Sequence, residues 1–196
     1  MNLVTRIKNI LVSPKTEWEV IATETTQPME LFSKYLLILA LIPAIATFIG
    51  YGIIGQNIMG IHIGSVNIGI RQAVVSLIAT LIGAFVTAFV VDALATSFGA
   101  RKNFNQAFKL VVYSYTPMMV TGFFNIIPSL GIISALAGIY GLYIFYLGIQ
   151  PLMKAPEEKK TTYFVVSILV IIGVYFILSA IIAAVLLPSR AMLMGL

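Results

Sequence analysis

Asp92 is the only acidic residue inside a long apolar stretch of this sequence, and it is the first candidate for chemistry. Ala84, Ala88, Asp92 and Thr96 are spaced by four residues, so on an α-helix they would share one small, polar face. A carboxylate in hydrocarbon is costly, and such residues often mark a proton or cation site. The alternative is a carboxylate hydrogen-bonded near the cytoplasmic interface, because Asp92 lies shortly before the stretch ends at Ser97. We name Asp92 and Thr96 as candidates under both interpretations.

A proline inside another apolar stretch supplies the second group of candidates. The run Tyr113–Pro117 reads YSYTP. Pro117 cannot donate a helix hydrogen bond, so it frees the carbonyl of Tyr113. Such a kink gives a ligand access to the backbone, although kinks are also ordinary features of membrane helices. Tyr113, Tyr115 and Pro117 are therefore the remaining intramembrane candidates.

Five apolar stretches must position these residues, and each is close to the ~20 residues that a helix needs to cross a bilayer. They are residues 35–54, 72–97, 108–127, 129–150 and 162–187. The chain has 196 residues, of which 60% are hydrophobic and only 10% charged. These features predict an all-α membrane protein with a five-helix transmembrane domain over 35–188. An interfacial segment, 1–34, precedes that domain, and an outer tail, 189–196, follows it.

The basic residues predict the orientation of the five helices. Ten of the twelve lysines and arginines lie before the first stretch or in the gaps on that same side, and only Arg71 and Arg190 lie on the other. The positive-inside rule then places the N-terminus in the cytoplasm. The net charge of +5 suits an anionic membrane surface better than nucleic acid. We therefore expect membrane lipids, and no nucleic acid, as partners.

The N-terminal segment is predicted to form two short helices on the membrane. Four apolar residues of its first part fall near helical spacing: Leu3, Ile7, Ile10 and Leu11. Arg6 and Lys8 lie elsewhere on this helix, and Ser13-Pro14 predicts the start of a second one that contains Trp18. This pattern places Arg6, Lys8 and Trp18 at the membrane surface. The alternative is that both helices pack on the cytoplasmic ends of the bundle.

The first outer loop alternates apolar and polar residues over positions 61–70. Gly64-Ser65 in the middle of such a pattern favours a small β-hairpin with its turn at that dipeptide. His62 is then a polar residue of the hairpin.

The sequence predicts no enzyme. It has no cysteine and one histidine, so disulfides, thiolate nucleophiles and histidine-rich metal sites are not expected. No hydrolase, metalloprotease or phosphate-loop motif occurs. We therefore expect no catalytic residue, no metal and no cofactor.

Several short motifs, taken in order, resemble the Yip1 family of five-span membrane proteins in its bacterial branch. They are SPKTEWEVIA at 13–22, Pro28, YSYTP at 113–117, IYGLY at 139–143 and GIQPLM at 148–153. The resemblance implies a multi-pass protein of a bacterial cytoplasmic membrane that acts through lipid or protein contacts or through self-association. Such a protein would be a non-enzymatic scaffold of the membrane-organising or trafficking type.

The resemblance also raises the question of a small GTPase as partner. Eukaryotic relatives bind small prenylated GTPases and carry an Asp-Leu-Tyr-Gly-Pro element before the first span. This chain has ETTQP at 24–28 and keeps only Pro28, which makes small GTPase binding doubtful. The alternative function is a small ion or solute transporter or channel that uses Asp92 and the kinked third helix.

Overall fold

A computed structural model describes residues 2–58 and 61–186 of the chain. In this part of the molecule the chain is almost entirely helical, with one short hairpin. The α-helices are α1 Leu3–Val12, α2 Pro14–Thr23, α3 Pro28–Leu31, α4 Leu37–Ile49, α5 Val66–Leu94, α6 Phe104–Ser114, α7 Thr116–Thr121, α8 Gly131–Met153 and α9 Glu157–Leu186. The length and hydropathy of the long helices make this a multi-pass membrane protein.

The helices α1 and α2 together form a unit that we call the N-terminal cap. The side chain of Asn2 caps α1 by accepting a hydrogen bond from the backbone N–H of Val4 at 3.0 Å. Pro14 begins α2, where its fixed φ and missing N–H are tolerated. Ile10 and Ile21 are fully buried, so the apolar side of the cap faces the membrane-spanning helices.

The first spanning helix is longer than the predicted stretch 35–54. It runs from Pro28 to Ile54, with a π-helical turn before α4 and another after it. Pro28 again occupies the first turn, and Lys34 reaches back to Glu30 at 2.8 Å one helical turn earlier. This polar first turn extends the helix beyond the apolar stretch.

The hairpin lies earlier in the chain than the sequence predicts. Strand β1, Gln56–Ile58, pairs antiparallel with β2, Ile61–Ile63, so Gly64-Ser65 is not the turn. Ser65 instead caps α5 by accepting a hydrogen bond from the N–H of Ile68 at 3.3 Å. Capping satisfies a backbone N–H at the start of a helix that would otherwise lack a partner, so Ser65 belongs to the N-terminus of α5 and not to a turn. The side chain of His62 lies outside the described residues, as does the predicted outer tail, 189–196.

The predicted third span, 108–127, is divided into pieces. α6 ends at Ser114, α7 ends at Thr121, and a 3-10 turn covers Gly122–Ile126. Pro117, in the first turn of α7, cannot donate to the preceding turn, which explains the first division. Within the described residues, four helices rather than five are long and apolar enough to cross a membrane, so these criteria do not support the expected count of five.

α6 lies at the centre of the bundle, and α9 lies at its edge. Eight of the α6 residues are buried, among them Phe108 and Tyr113. α9 has large exposed apolar side chains such as Leu169 and Ile172, and only 17% of its spanning part is buried within the protein. Such a surface suits contact with lipid.

Candidate functional site

Arg6 lies at the centre of a buried polar cluster between the N-terminal cap and the spans. Its side chain is only 3% exposed, and its two terminal nitrogens donate to the carboxylates of Glu17 and Glu24. Asn9 donates from Nδ2 to the second carboxylate oxygen of Glu17 at 2.9 Å. A buried charge is tolerated when it is both paired and hydrogen-bonded. The cluster therefore ties α1 to α2 and to the loop that follows α2.

An aromatic layer lies directly beneath this cluster. The guanidinium carbon of Arg6 is 5.5 Å from the centre of the Tyr113 ring, within the range of a cation–π interaction. Trp18 and Tyr35 both meet Tyr113 edge to face, with ring centres 6.1 and 4.9 Å away. The hydroxyl of Tyr35 is 2.9 Å from Thr116 Oγ1. The YSYTP run is thus the surface on which the cap rests.

Three further contacts hold the cap and the loop that follows it against the bundle. Trp18 is fully buried, and its indole N–H donates to the carbonyl of Ile144 in α8 at 3.0 Å. Its ring packs on Gly148, where an added Cβ would lie 2.6 Å from Trp18 Cε2. Lys109 of α6 donates to the backbone carbonyl of Glu24. The cap is therefore held by both α6 and α8.

The expected surface positions of Arg6 and Trp18 differ from the observed ones. Both side chains lie inside the protein, and only Lys8 is exposed. Arg6 is drawn inward because Glu17 and Glu24 converge on it, and a partnered guanidinium costs less to bury than a lone one. The structure favours the alternative in which the two short helices pack on the ends of the bundle.

An apolar cavity of about 220 Å³ lies between α5, α6, α8 and α9. Tyr115 lines this cavity, and its hydroxyl is 2.9 Å from Thr87 Oγ1 on α5. The hydroxyl of Tyr175 on α9 is 3.5 Å from the same threonine oxygen. Pro117 is buried in the first turn of α7. These hydroxyls link α5 to α9 and to the junction between α6 and α7.

Asp92 lies apart from both groups, near α9. It is 8% exposed, and among the described residues its Oδ1 is a buried oxygen without a hydrogen-bond partner. The neighbouring Val91 carbonyl accepts a hydrogen bond from the hydroxyl of Tyr163. Thr96, on the same predicted face, is exposed. The structure thus buries Asp92 but leaves Thr96 at the surface.

The family model described as the Yip1 domain matches residues 8–181 of the chain. The chain belongs to the Yip1 family. No curated protein and no solved structure gives a significant match.

The match to the Yip1 domain begins at residue 8, so it includes Glu17 and Glu24 of the Arg6 cluster but not Arg6 itself. The sequence did not reveal the role of these two acidic residues. No partner was predicted for Glu17 or Glu24, although each binds Arg6. Lys109 was counted only as a charge that sets orientation. Its position at the start of an apolar stretch was a usable signal, because a buried ammonium requires an acceptor.

The geometry in this Yip1-family protein suits a fixed surface better than a reaction. Arg6 has its donors directed at carboxylates of its own chain, and Tyr35 and Tyr115 each pair with a threonine. In the described part of the chain, no group of three or more histidines and acidic residues could hold a metal ion. The cluster holds the two short helices α1 and α2 in a fixed position at one end of the spans.

Proposed function

We propose that this Yip1-family protein is a non-enzymatic membrane protein that acts through contacts with lipids or proteins at its cytoplasmic face. The docked N-terminal cap carries the proposal. Cap residues Arg6 and Trp18 are buried against the spans, while Lys8, Lys15 and Glu19 stay exposed. A surface that is already fixed before binding loses little conformational entropy when a lipid or protein binds to it, which suits a membrane-organising scaffold.

The proposed location is the cytoplasmic membrane of a bacterium, with five crossings and a cytoplasmic N-terminus. The divided segment 104–126 supports a fifth crossing because it follows the first span from end to end. Thr116 pairs with Tyr35 near the start of the first span. At the far end, an added Cβ at Gly50 would collide with the carbonyl of Asn125. The concentration of basic residues on one side supports the orientation.

A transporter of ions or small solutes is the second candidate. One observation favours it: the buried Asp92 Oδ1 has no hydrogen-bond partner in the described residues. A carboxylate in that position is free to take a proton or a cation. Against this role, the apolar cavity beside Tyr115 is lined by Thr87 and otherwise largely by hydrocarbon.

Flux across vesicles distinguishes the two functions. The purified protein is reconstituted into liposomes that enclose a pH-sensitive dye, and proton and potassium gradients are applied. We expect the parent protein and Asp92→Asn to leak no faster than empty liposomes. A reproducible ion flux that Asp92→Asn abolishes would replace the contact function with transport.

A positive test of the contact function uses a photo-crosslinking residue at an exposed position of the cap. Placed at Lys8 in cells, it should give one defined lipid or protein adduct. The same probe at Lys8 in an Arg6→Gln background should give less of that adduct, because the cap is then no longer fixed. An unchanged adduct would mean that docking of the cap does not matter for contact.

A further inference from the structure

A second feature of the same face is an open groove of about 620 Å³ between the cap and the last two spans. α2 contributes Lys15 and Glu19 to the groove, the end of α8 contributes Gln150 and Lys154, and α9 contributes Lys160. None of these residues belongs to the Arg6 cluster. The groove therefore forms only when the cap is docked, because its walls come from both units.

The charged lining favours an anion. Three lysines face one glutamate, and Gln150 adds an amide that can donate hydrogen bonds. Lys160 is only 8% exposed, and its Nζ lies 4.5 Å from the centre of the Tyr146 ring. Glu157 is 3.8 Å away from that nitrogen and is itself largely exposed, so it neutralises Lys160 weakly. One of the three ammonium groups is thus held in place before any ligand arrives.

The rest of the groove is apolar and continues onto the membrane-facing side of α8. Leu147 and Pro151 form part of its lining. Toward the middle of the span, α8 exposes Tyr143 and Ile139. A ligand that fits this arrangement has an anionic head and a long apolar tail. It can reach the groove sideways from the bilayer.

We propose that this groove binds the headgroup of an anionic phospholipid from the surrounding membrane, with an acyl chain lying along α8. The proposal rests on the contact function above and names its lipid class. Lysine ammonium groups near a membrane surface attract anionic lipids, and each contributes roughly fivefold to binding. An apolar tail against α8 adds selectivity for a lipid over a free phosphate.

Lipid retention by the purified full-length protein tests the proposal. The protein in detergent is mixed with phosphatidylglycerol or phosphatidylcholine, and bound lipid is counted by native mass spectrometry. We expect the parent to prefer phosphatidylglycerol, and the double variant Lys15→Gln with Lys154→Gln to lose about tenfold or more of that preference. Lys160 is left unchanged because it is nearly buried.

A matched control removes the same charge elsewhere on the same face. Lys8→Gln with Lys102→Gln changes two exposed lysines outside the groove and should leave the preference within about twofold. Glu19→Gln should act in the opposite direction and raise phosphatidylglycerol retention, because it removes the one carboxylate of the lining. Melting temperatures of all variants show whether they fold.

Three results would overturn the proposal. One is an equal loss of preference in the control pair, which would indicate general surface attraction. Another is a parent protein that retains both lipids equally. The third is competition by millimolar inorganic phosphate that matches added phosphatidylglycerol, which would indicate a soluble anion as the ligand. None of these results changes the flux result or the crosslinking result at Lys8, so the contact function is tested separately.

Discussion

The Trp18 ring lies directly on Gly148, and the chain has no other tryptophan. A Cβ added at Gly148 would be 2.6 Å from Trp18 Cε2 and 2.6 Å from Leu110 Cδ1. Four residues earlier on α8, Ile144 accepts the hydrogen bond of the indole. The absent side chain of Gly148 is therefore what lets the cap reach α8.

Gly148→Ala should loosen the cap. The leucine end can move aside but the indole ring cannot, so overpacking is expected to cost about 1–3 kcal/mol. Trp18 fluorescence reports this change without interference from other tryptophans: acrylamide quenching should rise. Gly138→Ala is the control, because an added Cβ there meets no atom within 4 Å. Equal quenching in the two variants would mean that Gly148 is not the docking point.

Arg6→Gln should release the cap while the spans stay folded. Breaking a buried ion pair on one side leaves Glu17 buried without its partner, at a cost of about 3–5 kcal/mol. Limited proteolysis in detergent should then cut between the cap and the first span at rates well above those of the parent. Lys8→Gln, two residues away and exposed, should change stability by no more than about 0.5 kcal/mol. Equal rates of proteolysis in the two variants would show that the buried cluster does not hold the cap against the spans.

The hydrogen bond between Tyr35 and Thr116 should appear as coupling in a double-mutant cycle. Tyr35→Phe and Thr116→Val each remove one partner of a buried pair 2.9 Å apart. Each single change should cost about 1–3 kcal/mol, because the other hydroxyl loses its partner. The double variant should cost less than the sum of the two. Additive losses of thermal stability would mean that the two hydroxyls do not depend on each other.

The sequence predicts what depends on composition and local pattern. The described parts of four of the five predicted apolar stretches lie within long helices, since about 20 apolar residues suffice for a membrane helix in any tertiary context. The Yip1 assignment was confirmed by the domain match over residues 8–181.

What the sequence could not predict depends on long-range partners. The amphipathic pattern of α1 is the same whether its apolar face meets lipid or α7, so it did not reveal that Arg6 points inward. Arg6 pairs with Glu17 and Glu24, which are 11 and 18 residues away and lie beyond the break between α1 and α2, so the pattern of a single helix does not indicate the pairing. Pro117 was identified as a kink, but sequence does not tell a bent helix from a divided one. The predicted turn at Gly64-Ser65 was wrong because a serine suits both a turn and a helix cap.

Labelling of a cysteine at position 129 should show whether the divided segment crosses the membrane. The chain contains no cysteine, so each single cysteine variant reports its own side alone. Lys102→Cys precedes the segment, Ser129→Cys follows it, and both positions are exposed. Because the segment follows the first span from Tyr35 to Gly50, we expect it to cross. An impermeant maleimide added to intact cells should then label Ser129→Cys and leave Lys102→Cys unlabelled until the membrane is opened.

Two further positions complete this experiment, and the one at Glu158 is a second test of the same crossing. Asn67→Cys, at the exposed start of α5, should label from outside, and Glu158→Cys, at the start of α9, should label only after opening. These results together would establish five crossings with the N-terminus inside, since the basic residues gather on the side of Lys102 and Glu158. If Ser129→Cys instead behaves like Lys102→Cys, the segment 104–126 enters and leaves on one side. The protein would then have four crossings, and the cap would share its side of the membrane with the end of α9.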